Sequence, residues 1–296
     1  MYRKSMDSFS RLHPLINFTY FLFVIMFSMF LMDPIFLGIS LIGSMLYSVY
    51  LKGIKALKFN VIYMMPMIIF LTILNPLFNH EGATIILYIN NNPITLEAII
   101  YGVASAIMLV SVLIWFSAYN VVMTSDKFMY LFGRVMPKNS LIVAMVLRFV
   151  PRFKAQIKVI SNGQKSIGKD ITNGNIFERI NHGVKILSML ITWALENAIE
   201  TADSMKARGY GLKGRTSFYL YKFSLRDKII LGVLLVLIGI TLCGISFELG
   251  SANYFPKIKI NNISSIGLIT YLTYFLLNIF PIIINVWEEI KWKLSK

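Results

Sequence analysis

Six stretches of this chain contain no Asp, Glu, Lys or Arg over 17 to 22 residues each. They run over Leu15–Met32, Ile35–Leu51, Phe59–Phe78, Ala98–Tyr119, Ile229–Phe247 and Ile266–Trp287. A bilayer core needs about 17–25 apolar residues per helix, so each stretch is long enough to cross. A backbone in lipid must satisfy its own hydrogen bonds, which makes helices the expected form. Composition agrees. The chain is 56% hydrophobic and 15% charged over 296 residues, with a mean hydropathy of +0.67. A water-soluble monomer of that size could not hide so much apolar surface. A single Cys excludes a disulfide framework and a Cys-based metal cluster.

The first stretch is longer than a secretory h-region and ends in Asp33-Pro34 rather than a small-x-small site. It reads as an uncleaved span followed by a tight turn. Basic and non-basic connections alternate: Arg3, Lys4 and Arg11; none at Asp33-Pro34; Lys52, Lys55 and Lys58; none from Asn79 to Glu97. The positive-inside rule then puts both termini in the cytoplasm. The uncharged Ile186–Leu195 is too short for a seventh span. The run Thr84–Ile89, between Gly82 and the Asn90–Pro93 cluster, fits a short extended segment at the outer surface.

The formal charge of +15 is concentrated in one place. Asn120–Lys228 holds 18 Lys and Arg against seven Asp and Glu, a net of +11. The expected organisation is an N-terminal membrane domain of four spans (1–119), a cytoplasmic domain (120–228) and a C-terminal segment of two spans (229–296). The middle segment has helical periodicity. Arg148 and Arg152, continuing to Lys158, form a basic stripe beside an apolar stripe of Phe149, Phe153 and Ile157. Pro151 is expected to kink or restart that helix. A second helix is expected over Gly183–Ala207, with Glu196, Glu200 and Asp203 on one face and Gly209 placed for a C-cap. Arg208 falls in its last turn, where the helix dipole favours a cation. Two readings follow from the residues: docking to a protein with an acidic groove, or a membrane scaffold binding anionic lipid without any ATPase.

The spans hold no ionisable pathway of the sort an ion-driven transporter uses. Asn17, Thr72, Asn75 and Asn278 read as helix–helix glue. No Walker A or HExxH pattern occurs, and His13, His80 and His182 stand isolated. The chain is therefore expected to be no enzyme, to use no cofactor, to bind no nucleic acid, and to depend on a partner for energy.

One segment carries a specific resemblance. Ala202-Asp203-Ser204-Met205-Lys206-Ala207-Arg208-Gly209-Tyr210-Gly211, followed by Gly214-Arg215-Thr216, resembles the second Ala-Arg-Gly coupling motif of the transmembrane T components of energy-coupling factor (ECF) transporters, which include the cobalt- and nickel-type relatives. Leu147-Arg148-Phe149-Val150-Pro151 is similar to the start of that family's first coupling helix, and Leu131–Pro137 to the short helix ahead of it. His13-Pro14-Leu15 and Asp33-Pro34 also fit. One position departs: where the first motif has Ala-Arg-Gly, this chain has Ser166-Ile167-Gly168. Lys165 or Lys169 substitutes for the arginine, or the contact is mainly apolar.

The resemblance implies an all-α integral membrane protein of about six spans with a cytoplasmic pair of long amphipathic coupling helices, in a bacterial cytoplasmic membrane. It implies two ATP-binding-cassette ATPases as partners and a substrate-binding S component that releases a vitamin or transition-metal ion inside. The coupling residues would be Arg148, Pro151, Lys165, Gly168, Asp203, Ala207, Arg208, Gly209 and Arg215.

Overall fold

The computed structural model describes residues 7–89, 92–133, 136–212, 221–247, 252–258 and 264–294. Helices α1 (Pro14–Phe30), α2 (Pro34–Lys52) and α3 (Ile54–Phe78) lead to a hairpin of β1 (Ile85–Ile89) and β2 (Asn92–Thr95). Next come α4 (Leu96–Val122), α5 (Ser125–Gly133), α6 (Pro137–Ser166), α7 (Ile176–Ala207), α8 (Leu225–Ser246) and α9 (Ser265–Leu294). The fold is an all-α membrane protein. Helices α2, α3, α4, α8 and α9 are long and apolar enough to cross a bilayer. The first expected span is the 17-residue α1, at the lower end of the spanning range, and it lies at the centre of the core.

The chain divides into two units, Met1–Phe128 with Tyr221–Lys296, and Met129–Leu220. In the first, α4 packs against α1, α2 and α3, and α9 packs against α2 and α8. Local signals set the ends. Asp33 caps α2 by accepting from Ile35 N–H at 2.9 Å, with Pro34 at the first helical position. Ser224 and Asp227 form a capping box at the start of α8. The core is aromatic: Phe9, Tyr20, Phe21, Tyr47, Trp115 and Tyr274 are each fully buried, with Tyr20 and Tyr47 rings 6.0 and 6.1 Å from Trp115. Such T-shaped and tilted pairs add roughly 0.5–1.5 kcal/mol each beyond burial.

Polar residues tie the helices together. Asn75 Nδ2 donates to Ala98 O at 2.9 Å, joining α3 to α4. Tyr20 Oη donates to Asn278 O at 3.2 Å, joining α1 to α9. Asn17 faces Phe9 O and Lys127 Nζ, whereas Thr72 Oγ1 is buried without a hydrogen-bond partner among the described residues. Helices α2 and α9 approach closely at Gly43, where a Cβ would lie 2.7 Å from Asn278 Cβ.

The extended segment expected before Asn90 is strand β1, paired antiparallel with β2. Glu97 holds the hairpin root, accepting from Thr84 N–H at 3.2 Å and Thr84 Oγ1 at 2.9 Å. The sequence counted Lys127 among the cations of the basic segment. It is 7% exposed, and its ammonium donates to Val122 O at 2.8 Å and to Ser10 O. That charge serves the membrane unit, because a buried ammonium needs its protons satisfied.

Candidate coupling site

The second unit is built on α6 and α7, which pack on each other. The seam follows helical spacing. Phe149, Phe153, Gln156, Ile160 and Gln164 of α6 are half-buried, as are Leu190, Trp193, Asn197, Thr201 and Met205 of α7, with Ile186 buried among them. Phe149 and Phe153 stack at 5.9 Å, and Phe153 meets Trp193 edge-on at 5.9 Å. The Arg152 guanidinium lies 5.4 Å from the centre of the same Trp193 ring. Part of the expected basic stripe is therefore spent on the helix–helix contact. Gln164 Nε2 reaches Met189 Sδ at 3.6 Å. From residue 153 to 164 of α6, the contact moves only from residue 193 to 189 of α7. The contact thus runs in opposite sequence directions along the two helices.

Helix α6 runs unbroken through Pro151, so of the kink or restart expected there, the restart does not occur. Pro151 and Leu147 are both exposed, so water can take the Leu147 carbonyl that Pro151 cannot pair. Helix α7 begins at Ile176 rather than Gly183. Its start is an Asn175–Glu178 capping box, in which Asn175 N–H donates to Glu178 Oε2 at 3.1 Å. That Asn-x-x-Glu spacing was visible in the sequence and was missed. The short preceding helix is α5, which starts six residues and ends four residues before the bounds that Leu131–Pro137 suggested.

Both helices end in the same way. At α7, Gly209 N–H donates to Lys206 O at 2.9 Å and Tyr210 N–H to Met205 O at 3.0 Å, with Gly209 at φ +80°. At α6, Gly168 N–H donates to Lys165 O at 3.0 Å and Lys169 N–H to Gln164 O at 2.9 Å, with Gly168 at φ +78°. These are two Schellman closures, each requiring a glycine in the left-handed region. Arg208 and Ile167 hold the matching C-cap positions, at φ −83° and −99°.

The predicted residues fall into three places. Arg148 and Pro151 lie exposed midway along α6. Lys165 and Gly168 close its end. Asp203, Ala207 and Arg208 are exposed at the end of α7, with Gly209 half-buried. Arg215 lies outside the described residues. Lys165 Nζ pairs with Asp170 Oδ2 at 3.2 Å. Hydrogen bonds from the Thr172 hydroxyl and backbone N–H, with Lys165 alongside, hold the Asp170 carboxyl at about 2. A further feature escaped the sequence reading. Phe177, Ile180, Val184, Leu187, Ile191 and Leu195 recur at steps of three and four along α7, each more than half exposed. The stripe forms a face apart from both the α6 seam and the acids Glu196, Glu200 and Asp203.

Known proteins resemble this sequence. Residues 6–218 match the CbiQ cobalt transport protein family. The chain belongs to this family. Relatives called energy-coupling factor transporter transmembrane protein EcfT are similar over long segments. The Bacillus selenitireducens protein is 26% identical over 245 residues, covering 76% of this chain and 88% of the relative. A Listeria monocytogenes relative, EcfT 1, is 28% identical over 202 residues, covering 64% and 72%. The Lacticaseibacillus paracasei relative is 36% identical over 104 residues, which spans 35% of this chain and 39% of that protein. These relatives share the name of an ECF transporter transmembrane protein, and in the Lacticaseibacillus paracasei and Lactobacillus helveticus proteins the match spans about two fifths of the relative's own length. Among the described residues, no group of three or more His, Cys, Asp or Glu could hold a metal ion.

Proposed function

We propose that this chain couples two cytoplasmic ATPases to a substrate-binding S component in a bacterial ECF importer for a vitamin or transition-metal ion. The observation that carries this reading is Arg208, exposed at the C-cap of α7 and fixed there by the Gly209 closure. A guanidinium offered from a helix end suits bidentate pairing with a carboxylate in a groove. Helix α6 supplies a second end of the same backbone form, which suits engagement of two ATPases. The exposed apolar stripe of α7 is the surface that we assign to the S component, because an apolar helix face calls for an apolar partner.

In this reading both termini and the basic segment are cytoplasmic, as the Lys and Arg of the connections favour. Residues 1–119 and 229–296 form the membrane anchor, and residues 120–228 form the coupling domain. ATP binding and hydrolysis occur in the partners; this chain passes on the movement through Arg148, Pro151, Lys165, Gly168, Asp203, Ala207, Arg208, Gly209 and Arg215.

The test is Arg208→Glu. Substrate uptake should be lost while the variant still inserts at wild-type level, since breaking a desolvated charge pair costs about 2–5 kcal/mol. Normal uptake by that variant defeats the proposal. Purification in mild detergent separates it from a lipid-binding scaffold: two ATPases should accompany the wild-type chain.

A further inference from the structure

The two coupling helices end in one backbone motif carrying opposite chemistry. Gln164-Lys165-Ser166-Ile167-Gly168 and Met205-Lys206-Ala207-Arg208-Gly209 close with the same pair of hydrogen bonds and the same left-handed glycine. Ile167 therefore presents its side chain from the position that Arg208 holds on the other helix, and it is 62% exposed. Neither neighbouring lysine reproduces the arginine. Lys165 matches Lys206, and its ammonium is turned to Asp170 at 3.2 Å. Lys169 matches Tyr210, two positions beyond the closing helix turn.

Charge points the same way. Asp170 and Lys165 satisfy each other beside this end, so the Lys165 ammonium is not left over for a partner's carboxylate. Water, in turn, gains nothing from an exposed isoleucine, whereas an apolar surface does.

We infer that the ATPase surface receiving the end of α6 is an uncharged apolar socket that takes Ile167, while the surface receiving the end of α7 supplies a carboxylate to Arg208. This rests on the coupling role proposed above and adds the chemistry of each contact. One tip is gripped by desolvation and the other by charge. The first contact should be insensitive to salt and the second weakened by it.

The test uses the full complex purified from cells, with Ile167→Leu, Ile167→Ser and Ile167→Arg. The position is exposed, and size-exclusion of each variant checks the fold. Ile167→Leu should retain its ATPases as the wild type does. Ile167→Ser and Ile167→Arg should each lose at least about tenfold in retention at low and high salt alike, because several buried carbons go with the isoleucine. Retention by Ile167→Arg equal to or above wild type, weakening with salt, would mean that a carboxylate waits there and overturns the inference. So does full retention by Ile167→Ser. A wild-type chain that holds no ATPase removes the coupling role itself, and this inference with it; ATPases held by wild type and Ile167→Arg alike remove the inference alone.

Discussion

Replacing Trp193 by leucine removes the ring that both α6 contacts share. The Arg152 guanidinium lies 5.4 Å from that ring's centre, and Phe153 meets it edge-on at 5.9 Å. A cation over an exposed ring contributes about 0.5–1 kcal/mol. An edge-on aromatic pair adds about 0.5–1.5 kcal/mol. Together about 1–2.5 kcal/mol is lost, which raises the local opening constant of the crossing by roughly 5- to 70-fold. Amide hydrogen exchange of the protein in lipid nanodiscs reads this directly. Peptides covering residues 149–157 and 186–197 should lose protection by that factor, while α1 and α4 stay protected. Arg152→Met alone should cost only the smaller share, and should cost nothing further in the Trp193→Leu background. Full additivity of the two substitutions, or unchanged protection in both peptides, would refute the reasoning that this ring fixes the crossing.

Two further outcomes are expected. The Asp170 carboxyl titrates at about 2 in the folded loop against its ordinary 3.8, so its contribution is fully present above pH 4 and is lost as pH falls toward 2. Exchange in residues 165–172 should follow that course in the wild type and show no such step in Asp170→Asn. In the membrane unit, Gly43→Ala places a methyl 2.7 Å from Asn278 Cβ, and the helix contact must give way at a cost of about 1–3 kcal/mol. Thermal unfolding in detergent should show a lowered midpoint.

The membrane helices were legible because lipid leaves the sequence little freedom: a charge-free run of the right length has one stable form. Asp33-Pro34 announced a helix start because its carboxylate and ring do local work. The end of α7 was legible for the same reason, as Gly209 alone tolerates φ +80° there. What depended on distant partners was hidden. Nothing near Lys127 in sequence announces Ser10 as its acceptor, and nothing near Arg152 announces Trp193. At Pro151 the local rule left a kink and a restart both open, and the helix continues where its backbone is exposed. The apolar stripe of α7 was invisible as a separate face until α6 had claimed another side of the helix.

Among the described side chains of α6 and α7, only Ile186 is buried. Two helices of 30 and 32 residues joined by so little interior owe their shape to whatever covers them. Their ordered population must then rise with the concentration of the proteins that bind them. A cell making this subunit in excess of its companions would hold a surplus of frayed, sticky arms, open to proteolysis, so supply of the companions sets how much of it survives.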